Sequence, residues 1–139
     1  MLDTDVLVDA ERSGTTPRQL FSTLQKLYGG GTNCVTSAMT VYELMHGVHR
    51  SRDELTRAAR KNFLEEIRSL LVCIDVTADI AALGGEIDAR QTAAGRRIAV
   101  EDVIIAATAI FLNFSDLTFN EKHFEVIPGL SVVRHRRSN

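Results

Sequence analysis

Cysteine and long apolar runs are both scarce in this chain of 139 residues. Its two cysteines, Cys34 and Cys73, are too few for a zinc signature or for the disulfide framework of a small secreted domain. Each lies in an apolar context, so we expect reduced, buried thiols in strands of a cytoplasmic protein. No apolar run approaches the ~18 residues of a membrane span, and the first residues lack the basic-then-apolar order of a signal peptide. We therefore expect no membrane span and no signal peptide.

An excess of basic charge is also missing. The formal net charge is −2, which excludes a global basic field that would draw the chain to nucleic acid. The basic residues are 13 Arg and only 3 Lys. This skew favours bidentate contacts with phosphate or carboxylate, but genomic base composition would produce it equally well. Five basic residues follow Glu43 closely, as a solvated helix face or as a local phosphate-binding strip: Arg50, Arg52, Arg57, Arg60 and Lys61.

Short apolar runs alternate with segments of helical periodicity along the chain. We predict strands over residues 1–8, 33–36, 72–76, 117–119 and 131–133. We predict helices over residues 17–28, 40–48, 53–71, 77–94 and 102–112. This alternation indicates an α/β fold with a mainly parallel sheet of four to five short strands flanked by helices. We expect one domain over residues 1–133 and a basic tail over residues 134–139.

Two of these helices carry more detailed predictions. In the helix over residues 53–71, Leu55, Ala59 and Phe63 recur at the spacing of an inward face. In the next helix, Thr77 is the expected N-cap, and Gly95 is expected to end the helix.

The informative positive feature is a set of acidic residues in mostly apolar contexts, far apart in sequence: Asp3, Glu43 and Asp102. A buried carboxylate is costly unless it is paired or binds a metal. Asp5 adds a second carboxylate on the side of Asp3 if both lie in one strand, because side chains alternate along a strand. Hard cations such as Mg²⁺ and Mn²⁺ prefer oxygen ligands of this kind. The pattern therefore indicates one cation at the place where these elements converge.

Each acid also has a purely structural interpretation. Asp3 can cap a loop or a helix at the end of its strand. Glu43 with Thr40 fits a capping box at a helix start. Asp102 lies in a first helical turn, where the helix dipole favours an anion. Glu101 competes with Asp102 for the inward position, and we choose Asp102 because it shares the apolar face of the helix.

Asn120 follows a short strand and has two open interpretations. It either caps the turn that follows or points its carbonyl oxygen at a metal or at the water of a metal. The four histidines lack zinc spacing, and we expect them at the surface or behind the site: His46, His49, His123 and His135.

Together these motifs resemble the PIN domain, and within it the VapC toxin family of bacterial and archaeal toxin–antitoxin systems. The resemblance extends over nearly the whole chain and depends on the order and spacing of several short runs. They are residues 2–7, 41–48, 95–98, 102–109, 118–124 and 127–130.

The resemblance implies an endoribonuclease that depends on Mg²⁺ or Mn²⁺ and cleaves RNA with metal-activated water. In such a protein Asp3, Glu43 and Asp102 hold the metal, and the fourth position falls on Asn120. Asn120 departs in charge from family members with Asp there, so Asp5 is an alternative source of the missing carboxylate. A further candidate for this fourth ligand is Asp116, although its position in the strand is unfavourable.

The resemblance also implies partners. They are an RNA substrate, with transfer RNA or ribosomal RNA as candidates, a cognate VapB-like antitoxin that covers the site, and a second copy of the chain in a homodimer. Arg50, Arg52 and Arg97 are the candidate RNA contacts.

Two other functions stay open. Asp3 and Asp5 also fit the Asp-x-Asp start of a phosphatase of the haloacid dehalogenase type, with Asp3 as nucleophile. Alternatively, the replacement of the fourth acid by Asn120 fits a PIN-like domain that has lost its chemistry and only binds RNA or a protein.

Overall fold

Seven helices and four short strands are formed by residues 1–31 and 33–135, the part of the chain that the computed structural model describes. The helices are α1 (Thr4–Arg12), α2 (Pro17–Tyr28), α3 (Ala38–His49), α4 (Glu54–Leu70), α5 (Ala78–Ala93), α6 (Val100–Phe111) and α7 (Glu121–Phe124). The strands are β1 (Val35–Ser37), β2 (Val72–Ile74), β3 (Ser115–Thr118) and β4 (Ser131–Arg134).

The strands form two parallel pairs that the first residues of the chain join. β1 pairs with β2, and β3 pairs with β4, both in parallel. Between them, Leu2 N donates to Val35 O at 2.9 Å, and Leu117 N donates to Met1 O at 2.8 Å. Asp3 N then donates to Leu117 O at 3.0 Å. The order is therefore β2, β1, residues 1–3, β3 and β4, which confirms the α/β fold with parallel strands.

The predicted first strand over residues 1–8 is wrong beyond Asp3. Asp3 has extended backbone angles and caps α1, with its Oδ1 accepting from Thr4 N at 2.7 Å. Val6, Leu7 and Ala10 are buried at helical spacing, so this short apolar run belongs to a helix. The early start of α1 puts Asp3 at the carboxyl end of the extended segment, where a parallel sheet binds ligands.

The predicted start of α3 is also wrong, and so is the predicted capping box between Thr40 and Glu43. The N-cap is Ser37, whose Oγ accepts from Met39 N at 3.1 Å. Glu43 therefore lies in the second turn of α3 and cannot close a box with Thr40. In α4, Leu55 is 83% exposed, which contradicts its predicted inward position.

The start and end of α5 are as predicted. Thr77 caps it by accepting from Ile80 N at 3.3 Å. Gly95 follows the helix with a φ of +74°, a conformation that favours glycine.

The sheet separates two apolar clusters, and alternate residues of its strands face one or the other. Leu2 and Leu117 face a cluster with α1, α2 and α4, whereas Met1 and Val35 face α5 and α6. On this second side α5 and α6 approach closely, because a Cβ added to Gly84 would lie 2.8 Å from Ile104 Cδ1. The helices thus cover both faces of the sheet, as the alternation predicts.

The last strand and the two cysteines differ slightly from the predictions. β4 extends to Arg134, whose guanidinium pairs with Glu121 at 2.9 Å, and residues 136–139 of the predicted tail lie outside the described residues. Cys34 and Cys73 are free but half-buried, and only Cys73 lies within a strand. None of the described helices has the length and apolarity needed to cross a membrane.

Arg60 joins three helices and does not belong to an open basic strip. Its Nε lies 3.0 Å from Glu11 Oε1 on α1, and its guanidinium donates to Gly47 O near the end of α3 at 2.9 Å. Arg57 also forms an ion pair, because its Nη1 lies 2.8 Å from Glu54 Oε2. The contacts of Arg60 therefore favour a structural role for it, whereas for Arg57, whose ion pair is exposed, the phosphate-strip interpretation stays a prediction.

Arg60→Ala is expected to lower the free energy of unfolding by about 1–3 kcal/mol, because partly buried, charge-assisted hydrogen bonds are lost. Urea unfolding monitored by circular dichroism measures the change. Arg50→Ala, which removes an exposed guanidinium, is the matched control and is expected to match the wild type. Equal stability of the two variants would contradict a structural role for Arg60.

Candidate active site

Asp3 and Asp5 converge on one hydroxyl group at the end of β3. Thr118 Oγ1 lies 2.7 Å from Asp3 Oδ2 and 3.0 Å from Asp5 Oδ2. Phe119 N donates to Asp5 Oδ2 at 3.1 Å, and Asn120 N donates to Thr118 Oγ1 at 2.9 Å. The two aspartates are not strand neighbours as predicted, since a helix starts between them, yet the strand and the helix turn bring both carboxylates to Thr118.

Thr4 attaches Glu43 to this group. Its hydroxyl donates to Glu43 Oε2 and also lies 3.2 Å from Thr40 Oγ1. Thr4 and Thr40 are both buried. Because the main-chain N–H of Thr4 bonds to Asp3, this one residue contacts two of the predicted acids.

Asp102 lies in the first turn of α6, where the sequence places it. It is half-buried, and its Oδ2 is 3.7 Å from His123 Nδ1. Burial raises the pKa of Asp102, His123 lowers it, and the charges of Asp5 and Glu101 raise it further. Asp102 is thus within electrostatic range of Asp5. Glu101 is also half-buried and is not turned fully away from the group, as its effect on the pKa of Glu43 shows.

The surroundings of Asp3 and Asp5 favour the protonated state of their carboxyl groups. Burial, then the charges of Asp116 and Asp5, raise the pKa of Asp3 to about 8, against the bonds from Thr118 and Thr4 that lower it. Burial also raises the pKa of Asp5. Several carboxylates therefore share a poorly solvated space, in which the charges of Asp116 and Asp5 disfavour ionisation of Asp3. A side-chain hydrogen bond with Asp3 lowers the pKa of Asp5, against the larger effect of burial.

Glu43 shows the same effect. Burial raises its pKa, the Thr4 hydroxyl lowers it, and Asp102, Glu101 and Asp5 raise it. Asp116, which lies deepest, has its pKa raised to about 7, mainly by burial. A cation in this space would relieve the repulsion among all of them.

The carboxylate oxygens of this site are suitable ligands for a hard cation, although the described side chains do not form a complete coordination shell. Among the described residues, no group of three or more His, Cys, Asp or Glu side chains is arranged to hold a metal ion as it stands. Asp3, Asp5 and Glu43 are turned toward Thr118 and Thr4 instead. Mg²⁺ does not need a complete shell of side chains, since it commonly keeps several waters and binds through one or two carboxylates. The all-oxygen site fits an ion of this kind.

Asn120 is the N-cap residue that precedes α7, and its side chain makes no capping hydrogen bond. The capping interpretation of its side chain is therefore wrong, and its role as a metal ligand stays a prediction. Thr4 and Thr118 were not predicted from the sequence. The signal available was their place beside the acids, in Asp3-Thr4-Asp5 and Thr118-Phe119-Asn120.

Comparison with known proteins decides the family. A family model described as the PIN domain matches residues 1–130. The chain belongs to the PIN domain family.

The relatives of this PIN domain have similar length. It is 35% identical over 130 residues to "Ribonuclease VapC19" of Mycobacterium tuberculosis, covering 94% of this chain and 95% of that protein. It is 29% identical over 133 residues to "Ribonuclease VapC" of Rickettsia bellii, covering 96% of this chain and 93% of that protein.

Solved structures agree on the fold. The VapBC2 structure from Rickettsia felis, bound to a promoter DNA fragment, contains a chain with a TM-score of 0.84 and 27% identity, covering 98% of both chains. The DNA-bound VapBC structure from Salmonella typhimurium gives a TM-score of 0.79 at 24% identity, covering 96% of both chains, which shows the fold alone. The haloacid dehalogenase alternative is wrong, because residues 1–130 form a PIN domain.

The candidate RNA contacts of the PIN domain are exposed. Arg50 caps the end of α3, Arg52 follows it, and Arg97 lies between α5 and α6. Their side chains are solvated, and their role stays a prediction.

Asp3→Asn is expected to flatten the dependence of stability on pH in the metal-free protein. The unfolded chain loses the Asp3 proton near the ordinary pKa of 3.8, whereas the folded chain keeps it until about 8. Stability contributed by this proton therefore falls as the pH rises from about 4 to about 8. Urea unfolding in a chelating buffer across this window measures the slope.

The matched control is Asp79→Asn, which changes an exposed aspartate in the first turn of α5. It is expected to follow the wild-type slope. Parallel slopes for Asp3→Asn and the wild type would contradict the raised pKa of Asp3.

Proposed function

We propose that this PIN domain is an endoribonuclease that depends on Mg²⁺ or Mn²⁺ and acts as the toxin of a VapBC-type pair. The observation that carries the proposal is the convergence of Asp3, Asp5, Glu43 and Asp102, from three separate parts of the fold, at one end of the sheet. The 35% identity to "Ribonuclease VapC19" supports ribonuclease activity in this chain.

Asp3 and Asp102 are the residues that we expect to hold the ion, with Glu43 and Asp5 beside them. A bound divalent ion supplies charge that stabilises the phosphate during attack and makes a nearby water more acidic. Thr118 keeps Asp3 and Asp5 together, and Thr4 keeps Glu43 in place. Glu43, which accepts a hydrogen bond from Thr4, would be a further carboxylate ligand of the ion. No side chain needs to form a covalent intermediate.

The partner that we propose is an antitoxin of the VapB kind. The likeness to a chain of the Rickettsia felis VapBC2 structure, with a TM-score of 0.84, supports it. A cluster of partly buried carboxylates would accept a basic side chain of such a partner as a substitute for the cation. We further propose a homodimer and a cytoplasmic location, which accord with the family resemblance and the free thiols.

Purified protein is expected to cleave RNA with Mg²⁺ or Mn²⁺ and to stop when the ion is chelated. Asp3→Asn and Asp102→Asn are each expected to reduce cleavage by at least about 100-fold, because ligands of the ion are lost. Asp79→Asn is the matched control, since it removes a carboxylate from the first turn of another helix. Cleavage of total RNA, followed by electrophoresis, gives the rates.

Two outcomes would contradict this function. Wild-type rates in either site variant would show that the residue is not in the active site. A folded wild type that binds RNA but never cleaves it with either ion would instead favour the inactive PIN-like domain, which the uncharged Asn120 motivates.

A further inference from the structure

Asp116 is a buried carboxylate whose presence the hydrogen bonds of the fold do not explain. Its exposed fraction is 0%, and neither of its carboxylate oxygens has a hydrogen-bond partner among the described residues. A buried carboxylate in this state is strongly unfavourable.

Asp116 shares a strand face with the acidic site. It lies two residues before Thr118 in β3, and side chains two apart in a strand point to the same side. Thr118 bonds to Asp3 and Asp5 on that side. The side chain of Asp116 therefore lies in the same layer as these carboxylates, one step deeper in the sheet.

Electrostatic coupling agrees with this placement. Of the neighbouring charges, that of Asp116 has the largest effect on the pKa of Asp3. Burial has the largest effect on the pKa of Asp116 and raises it, the N-terminal ammonium of Met1 lowers it, and the charges of Asp5 and Asp102 raise it. The carboxylate of Asp116 is thus within range of three acids of the site.

We propose that Asp116 is a further carboxylate ligand of the divalent ion and supplies the negative charge that Asn120 lacks. The inference rests on the proposed function, because it assumes that the site binds Mg²⁺ or Mn²⁺. The N-terminal ammonium of Met1 lies within electrostatic range of Asp116, but it donates to Ser115 O and not to Asp116. A hard cation would satisfy the Asp116 oxygens, which have no hydrogen-bond donor among the described residues.

The test is Mn²⁺ binding to the purified full chain without RNA, followed by electron paramagnetic resonance of the free ion. Asp116→Asn keeps the shape of the side chain and removes its charge. Its Mn²⁺ dissociation constant is expected to rise on the order of tenfold or more, and the increase in Tm on adding Mn²⁺ is expected to shrink. Asp79→Asn, with its exposed carboxylate, is expected to bind Mn²⁺ like the wild type.

A folded Asp116→Asn variant with the affinity of the Asp79→Asn control would overturn the inference and leave the proposed function intact. A wild type that binds no Mn²⁺ would overturn both. Crystals of the wild type soaked in Mn²⁺ give a measurement that does not depend on the variant folding. Anomalous density within about 2.6 Å of an Asp116 oxygen supports the role, and an ion held by Asp3 and Asp102 alone overturns it.

Discussion

Repulsion among poorly solvated carboxylates is the constraint on which the site depends. Burial raises the pKa of Asp3, Asp5, Glu43 and Asp102, and the charge of Asp5 raises the pKa of the other three further. Such an arrangement lowers the stability of the empty fold. It also creates a strong preference for a compact positive charge, whether a divalent ion or a basic side chain.

The fold holds these carboxylates in place with hydroxyl groups. Thr118 at the end of β3 lies between Asp3 and Asp5, and Thr4 at the start of α1 bonds to Glu43. Each hydroxyl group belongs to a segment that is itself fixed by the sheet or by a helix start. The positions of Asp3, Asp5 and Glu43 are therefore set by hydroxyl groups, which add no positive charge to the site.

Much of the fold follows from the sequence, because helix periodicity and caps are local. α2 and the Thr77 cap of α5 are of this kind. The start of α1 at Thr4 was not predictable, since a short apolar run fits a strand and a helix equally well. The cap of α3 at Ser37 was missed because Thr40 and Glu43 imitate a capping box.

The site was less predictable than the fold. Acidic residues in apolar contexts indicate it from sequence, but nothing local shows that a Thr118 hydroxyl reaches Asp3 across 115 positions. The burial of Asp116 likewise follows from packing on both sides of β3. Contacts between distant segments decide both, and periodicity carries no information about them.

The most direct test of the account is the pKa of the Asp3 carboxyl group, measured by NMR on selectively ¹³C-labelled protein without and with Mg²⁺. The account predicts a pKa of about 8 without the ion and a value well below it when Mg²⁺ is added. A pKa near the ordinary value without the ion, or one that Mg²⁺ leaves unchanged, would contradict the claim that a cation relieves the repulsion in this site.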